Sequence, residues 1–344
     1  MKFVVTLCLW SSISLYSYGQ TLRLNESKVL ASHNSYKKRP HKKVIRFLTK
    51  FKKQLGAGND PIQLDYGHLT LPEQFDQYNI RGIELDLYYD PIGGHYRKRK
   101  LNKFLIGLKQ RVKDPKMSSS GFKVLHIADV DYETHYLTFQ DALIELKSWS
   151  EKNTNHHPIY VNIEPKSISP GNESKTLRRL GFRPCIPYDS LAYIRMEEEI
   201  LHILPTQSVF TPKDLRENYP SIRDRIIEEG WPLLSSCLGK IIFILDGNES
   251  LYKATTKNFL MFHYASPNDP EAAFVIANDA IGNEEKIQAL TQTYIVRTRA
   301  DAGTMESRKN DYSTFNAALK SGAQIISTDY YTPDLRWSTY QIKF

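Results

Sequence analysis

The sequence is poor in cysteine, with three in 344 residues, which excludes a disulfide-dense scaffold; their wide spacing offers no cluster of four ligands for a structural zinc. Beyond its first twenty positions no apolar run approaches the roughly 18 residues that a membrane-spanning helix needs, so a multi-pass membrane protein is excluded. Internal repeats, low-complexity tracts and Pro/Ser-rich linkers are also missing. Those absences argue against a solenoid or a disordered chain and favour one large domain over two joined by a flexible segment.

The first residues, MKFVVTLCLWSSISLYSYGQ, combine Lys2, an apolar stretch from Phe3 to Leu15, and small residues at Ser17 and Gly19. This is the pattern of a cleaved secretory signal, expected over residues 1–19, which leaves a soluble chain outside the cell or in the periplasm. Cys8 departs with it, and Cys185 and Cys237 are expected to pair as a disulfide in an oxidising compartment. The net charge of +8 is unevenly spread. Residues 36–54 hold nine Lys/Arg and no acid, and residues 97–116 hold nine Lys/Arg and one acid, so these two segments carry +17 on a body of −9. Such local basicity fits an anionic partner.

Short β-branched runs recur at 28–32, 80–87, 122–127, 158–163, 240–245, 273–277, 294–297 and 323–327. They read as strands buried on both faces. Helical patterns lie between many of them, at 138–152, 190–204, 213–229 and 313–320, the last with Gly322 placed to stop it. The alternation predicts an α/β fold: a single (β/α)8 TIM-type barrel with local irregularities and with basic loops inserted at its catalytic face, filling residues 20–344.

In such a barrel the chemistry sits where strands end. Here the first strand runs into Ser32-His33-Asn34-Ser35-Tyr36, the second ends in Glu84-Leu85-Asp86, the third in His126 and the fourth in Glu164-Pro165-Lys166. A period of two puts Glu84 and Asp86 on one face. Neighbouring carboxylates repel and call for a cation, and an all-oxygen set of Asn34, Glu84, Asp86 and Glu164 suits calcium better than zinc. His33 and His126 then stay free for proton transfer and charge stabilisation. The residues alone lead to metal-assisted phosphoryl or acyl chemistry on a barrel.

The motifs SHNSY, GIELDLYYD, KVLHIADVDYETHYLTFQDALIELKSW and PIYVNIEPKS, followed by CLGKIIFI, YIVRTRADAGTMESRKNDYSTFNAAL and SGAQIISTDYY, resemble in order and spacing the phosphoinositide-specific phospholipases C, from about Val29 to Tyr331. The resemblance is greatest to the secreted, calcium-dependent branch. It implies that His33 and His126 are catalytic, that Asn34, Glu84, Asp86 and Glu164 bind Ca2+, and that Lys166, Arg297 and Arg299 meet the substrate. Arg299 stands where cytosolic members carry a tyrosine packed on the inositol ring, and Ile244, Leu245 and Asp246 stand where they carry phosphate-binding lysines. Unphosphorylated phosphatidylinositol is therefore the expected substrate class.

The basic segments, following the first and second strand ends, are expected to flank the mouth and to meet an anionic phospholipid surface peripherally, with Phe47, Leu48, Phe51, Phe104, Leu105 and Ile106 either entering lipid or packing on the barrel. No nucleic-acid recognition motif is present, and a monomer is expected. A glycerophosphodiester phosphodiesterase on the same barrel is the nearest rival, although its opening motif has Arg-Gly where this chain has Asn34-Ser35. A secreted lipid-binding protein with a decayed site is the rival of another class; the six filled core positions oppose it.

Overall fold

A computed structural model describes residues 21–56, 58–255 and 259–344; the expected signal peptide at 1–19 lies outside them. Nine strands are described: β1 (Val29–Ser32), β2 (Ile80–Asp90), β3 (Gly121–Val124), β4 (Ile159–Pro165), β5 (Ile241–Leu245), β6 (Phe262–His263), β7 (Phe274–Ile276), β8 (Ile295–Arg299) and β9 (Ile325–Thr328). Eight run parallel in the order β6-β5-β4-β2-β1-β9-β8-β7, and a single parallel bridge, Tyr264 to Phe274, draws β6 to β7. The result is a nearly closed, TIM-like eight-stranded barrel.

The strands form because their runs are apolar throughout. β5, IIFIL, is buried at every position, and so is β4 as far as Ile163, as expected for a parallel sheet covered by helices. The helix Phe139–Lys152 opens on a capping box between Thr138 and Asp141 and turns Phe139, Ala142, Leu143, Leu146 and Trp149 inward. Closure of the barrel brings β1 and β2 so near that a Cβ on Gly82 would fall 2.5 Å from the Ala31 Cβ. Only glycine fits there.

Two sequence expectations change. The run 122–127 is not a barrel strand: β2 overruns the barrel, and its last residues pair antiparallel with β3, Leu87 opposite Val124 and Asp90 opposite Gly121. The missing barrel strand is β6, whose two residues are too short to show periodicity. The expected helix 213–229 is divided into Pro212–Arg216 and Ile222–Glu229. Glu217 turns through a φ of 53° and Pro220 supplies no N–H to continue the ladder.

The expected disulfide is not formed: Cys185 and Cys237 are both free and buried. Cys185 lies on the segment leaving β4, packed with Tyr88, Tyr96 and Met117. Cys237 lies just before β5 begins, packed with Trp231 and Phe210. The two thiols thus belong to opposite ends of the barrel and to separate clusters, whereas a disulfide requires Cα atoms about 4.4–6.8 Å apart. Burial pushes the Cys185 thiol up to about 11 and also raises Cys237, so both are poorly reactive. On denaturation without reductant, Cys185 and Cys237 should each accept an alkylating label; protection of both would reveal the disulfide.

Candidate active site

β1 delivers His33 and Asn34 to the C-terminal mouth of the barrel. Asn34 adopts a φ of 51°, a left-handed conformation that asparagine tolerates. Its Oδ1 accepts from the Tyr36 hydroxyl (3.1 Å) and its Nδ2 donates to the Tyr66 hydroxyl (2.8 Å). Beside it, the parallel register of β2 and β4 sets Glu84 against Asn162 and Asp86 against Glu164. One ligand atom from each of Glu84, Asp86 and Glu164 lies within 4.8 Å of the others.

The three carboxylates are compensated differently. Glu84 is buried, paired with Arg297, 3.3 Å from His33 Nε2, and accepts from Asn162 Nδ2 at 3.1 Å. Burial alone would raise its pKa, but Arg297, His33, Arg299 and Lys166 outweigh that and hold it at about 2. Asp86 is fully buried, and neither of its oxygens has a hydrogen-bond partner. Its nearest counter-charge is the Lys166 ammonium at 3.1 Å, which also meets Glu164 at 2.7 Å. Burial, with Glu164 and Glu84 as like-charged neighbours, pushes the Asp86 carboxyl well above its ordinary range despite Lys166. A buried carboxylate whose only ion-pair partner is Lys166, in an all-oxygen acidic trio, is what a hard divalent cation would satisfy, so the residues fit calcium. Asp86 and Glu164 would hold it with Glu84 and Asn34.

Each histidine has a buried aspartate behind it. His33 Nδ1 is 2.8 Å from Asp329 Oδ1 and also 2.8 Å from an Arg299 nitrogen. The carboxylate calls for a proton on Nδ1, the guanidinium for a lone pair. Burial alone would raise the Asp329 pKa, but His33 and Arg299 hold it at about 2. His126 Nδ1 is 2.8 Å from Asp131 Oδ2. Burial lowers the His126 pKa against the pull of Asp131. Burial also opposes ionisation of Asp131, yet Lys37 at 3.2 Å and the bond from His126 keep its pKa below the usual range. Lys37 is itself fully buried, donating to the carbonyls of Leu64 and Tyr66 and lying 4.3 Å from the Tyr66 ring centre. The Tyr66 hydroxyl is 3.3 Å from His33 Nδ1, so one chain of contacts joins the two histidines.

The mouth therefore brings together His33, Asn34, Glu84, Asp86, Glu164, Lys166 and Arg299. His126 stands above, on the turn after β3, linked through Asp131 and Lys37. Arg297 lies lower: it is buried, and its guanidinium is occupied by Glu84 and Ser327 rather than presented to the opening. Asp131, Asp329, Lys37 and Tyr66 are functional neighbours that the sequence reading did not select. Asp329 closes the strand run 323–327 and answers to the same strand-end rule that found the others; Tyr66 and Lys37 offer no such signal.

A family model described as phosphoinositide phospholipase C, Ca2+-dependent, matches residues 22–344. Among solved structures, a calcium-dependent phosphoinositol-specific phospholipase C from a Pseudomonas species is similar at 16% identity, with a TM-score of 0.55 and 94% of each chain covered. Its myoinositol complex gives 15% identity, a TM-score of 0.55, and coverage of 95% of this chain and 94% of that one. A Ca2+-dependent phosphatidylinositol-specific phospholipase C from Streptomyces antibioticus gives 14% identity and 0.51, covering 89% of this chain and 95% of that one. A search of curated proteins finds no match.

The Asp86 environment makes a signed prediction. Its folded pKa lies above its unfolded value, so in chelator the Asp86 contribution to stability is full below the unfolded pKa and is lost as pH climbs through the window between the two, whereas the contributions of Glu84 and Asp329 are lost as pH falls. Calcium competes with a proton for Asp86, so over the pH range in which Asp86 titrates its binding should tighten with rising pH and release a proton, read as a buffer-dependent heat in calorimetry. Calcium at a hundredfold excess over its Kd should add about 2.7 kcal/mol of stability. Asp86→Asn should raise Tm in chelator and lose most of the calcium-induced gain. A calcium response unchanged by Asp86→Asn contradicts the assignment.

Proposed function

The chain belongs to the calcium-dependent phosphoinositide phospholipase C family, and from that premise we propose that it cleaves phosphatidylinositol-type phospholipid to diacylglycerol and an inositol phosphate, acting outside the cytoplasm. The observation that carries this reading is the pairing of two imidazoles, each backed by its own buried aspartate, with one oxygen-only acidic trio at a single barrel mouth.

Calcium, when bound, supplies Lewis-acid polarisation of a phosphoryl oxygen and favours ionisation of a nearby hydroxyl. The residues do the rest. The inositol hydroxyl adjacent to the phosphodiester attacks phosphorus, forming the new O–P bond within one molecule and exploiting a high effective concentration. Its proton passes to a carboxylate. Glu84 is already engaged by Arg297, His33 and Asn162 and is a weak base, whereas the Glu164 side chain is 36% exposed and held only by Lys166; the role falls to Glu164. His33 and Arg299 stabilise the charge that develops on the phosphoryl oxygens. The imidazolium form of His126, a minority form once burial has lowered its pKa, donates its Nε2 proton to the glycerol oxygen as the O–P bond breaks and is left neutral, with its Nδ1 proton donated to Asp131 in a hydrogen bond. The first product is a cyclic inositol phosphate.

Ile244 and Leu245 are buried in the barrel wall and Asp246, at the strand end, has a carboxyl raised to about 6 by burial and by Glu84 and Glu164. This acidic rim, without lysines on β5, favours a headgroup lacking ring phosphates. Phosphorus NMR of a phosphatidylinositol digest should show a cyclic phosphate that appears with calcium and not in chelator, and His126→Ala should cut its rate by roughly two to four orders of magnitude. Near-normal turnover in His126→Ala, or in excess chelator, overturns the reading.

A further inference from the structure

β8 and β9 end side by side, with Arg299 in register with Ser327. Two residues beyond each of these, the chain places a second carboxyl behind the first: Asp301, buried like Asp329. Its Oδ1 accepts the backbone N–H of Asp329 at 2.8 Å, and its Oδ2 accepts the Thr328 hydroxyl and, at 3.3 Å, the Tyr340 hydroxyl. The Thr328 hydroxyl oxygen in turn accepts the Tyr330 N–H at 2.8 Å, and the Thr328 carbonyl accepts the His33 N–H at 3.0 Å. The turn that carries Asp329 to His33 is therefore tied to one carboxyl group.

A buried carboxyl next to another is an expensive anchor, because burial and the neighbouring charge both oppose its ionisation. The charged and titratable groups around Asp301 are Asp329 and Tyr330 after β9, Arg299 at the end of β8, and Tyr340 on the C-terminal segment. Arg299 is the cation among them, and its guanidinium is directed at His33. Burial first, and then the Asp329 charge, raise the Asp301 carboxyl to about 7, whereas His33 and Arg299 hold Asp329 at about 2 against burial. Below pH 7 the pair's proton thus rests on Asp301, and the Asp329 charge is left for His33. Protonated Asp301 keeps its hold on the turn. Oδ1 still accepts the Asp329 N–H, and the Oδ2 proton is donated to the Tyr340 oxygen, whose own hydroxyl proton is received by the Ala300 carbonyl 3.2 Å away.

We propose that Asp301 is a positioning residue for His33, fixing the turn after β9 so that the Asp329 carboxylate meets the imidazole Nδ1. The role calls for an acceptor at Oδ1 and a hydrogen-bonding group at Oδ2 rather than for a charge, so an amide of the same shape fills it. The effect on turnover rests on the phospholipase reading; the effect on the imidazole does not.

The test uses the full chain with isotopically labelled histidine, read by nitrogen NMR below pH 7, with turnover of short-chain phosphatidylinositol in calcium measured in parallel. Asp301→Ala should move the ring-nitrogen resonances of His33 and leave those of His126 in place. Its kcat should fall roughly ten- to a hundredfold with KM held within about twofold, as for a displaced catalytic group with substrate binding retained. Asp301→Asn should return the His33 resonances and most of the turnover. If Asp301→Ala does not fold, Asp301→Ser, which keeps one small polar group, carries the same predictions. His33 resonances unmoved in the folded variant, equal displacement of His126, or an Asp301→Asn chain as impaired as Asp301→Ala would overturn the proposal. The expected resonance shifts in a chain that turns over no phosphatidylinositol would uphold the positioning and refute the catalytic reading.

Discussion

Bringing Glu84, Asp86 and Glu164 together at one end of a barrel is the constraint on which the remaining site is built. Three like charges in a largely dry mouth repel strongly, and removing the partner of a buried charge costs about 3–5 kcal/mol. The surrounding residues answer that problem in layers. Arg297 neutralises Glu84 from below, Lys166 spans Asp86 and Glu164 from the side, and His33 closes on Glu84 from the next strand. The compensation is thinnest at Asp86, which is fully buried and has Lys166 as its ion-pair partner, and that is where a cation would fit the trio.

The same logic separates the two histidines into different tasks. His33 lies inside the charge lattice, against Glu84, Asp329 and Arg299. His126 is carried out of the lattice by the overrun of β2 and its hairpin with β3. Its aspartate, Asp131, is balanced by Lys37, the one cation of the basic segment 36–54 that is wholly buried. A lysine that looks in sequence like part of a basic collar is instead the counter-ion of the His126–Asp131 pair.

That lysine shows where sequence reasoning stops. Strand ends, the period of two in Glu84-Leu85-Asp86, and motif order picked out His33, Asn34, Glu84, Asp86 and Glu164, which meet at one mouth because they owe their position to local strand geometry; His126, expected at the end of a barrel strand, lies instead on the turn after the hairpin strand β3. Asp131 owes its position to a loop that folds back on an imidazole, and Tyr66 reaches His33 only after an excursion of 33 residues along the chain, whereas Asp329, the residue after β9, was open to the strand-end rule. The barrel itself was legible; β6 was not, since two residues carry no pattern, and the hairpin strand β3 filled its place in the strand count. The inferred disulfide failed for a related reason: compartment chemistry says that thiols can oxidise, and only topology says that Cys185 and Cys237 lie at opposite ends.

The central claim is that the acidic trio spanned by Lys166 is a cation site. Anomalous diffraction from crystals grown in calcium addresses it directly. One peak should appear within about 2.3–2.6 Å of oxygens from Asp86 and Glu164, with the Lys166 ammonium withdrawn from between them. A map without a peak there at saturating calcium, with Lys166 still bridging both carboxylates, would contradict it.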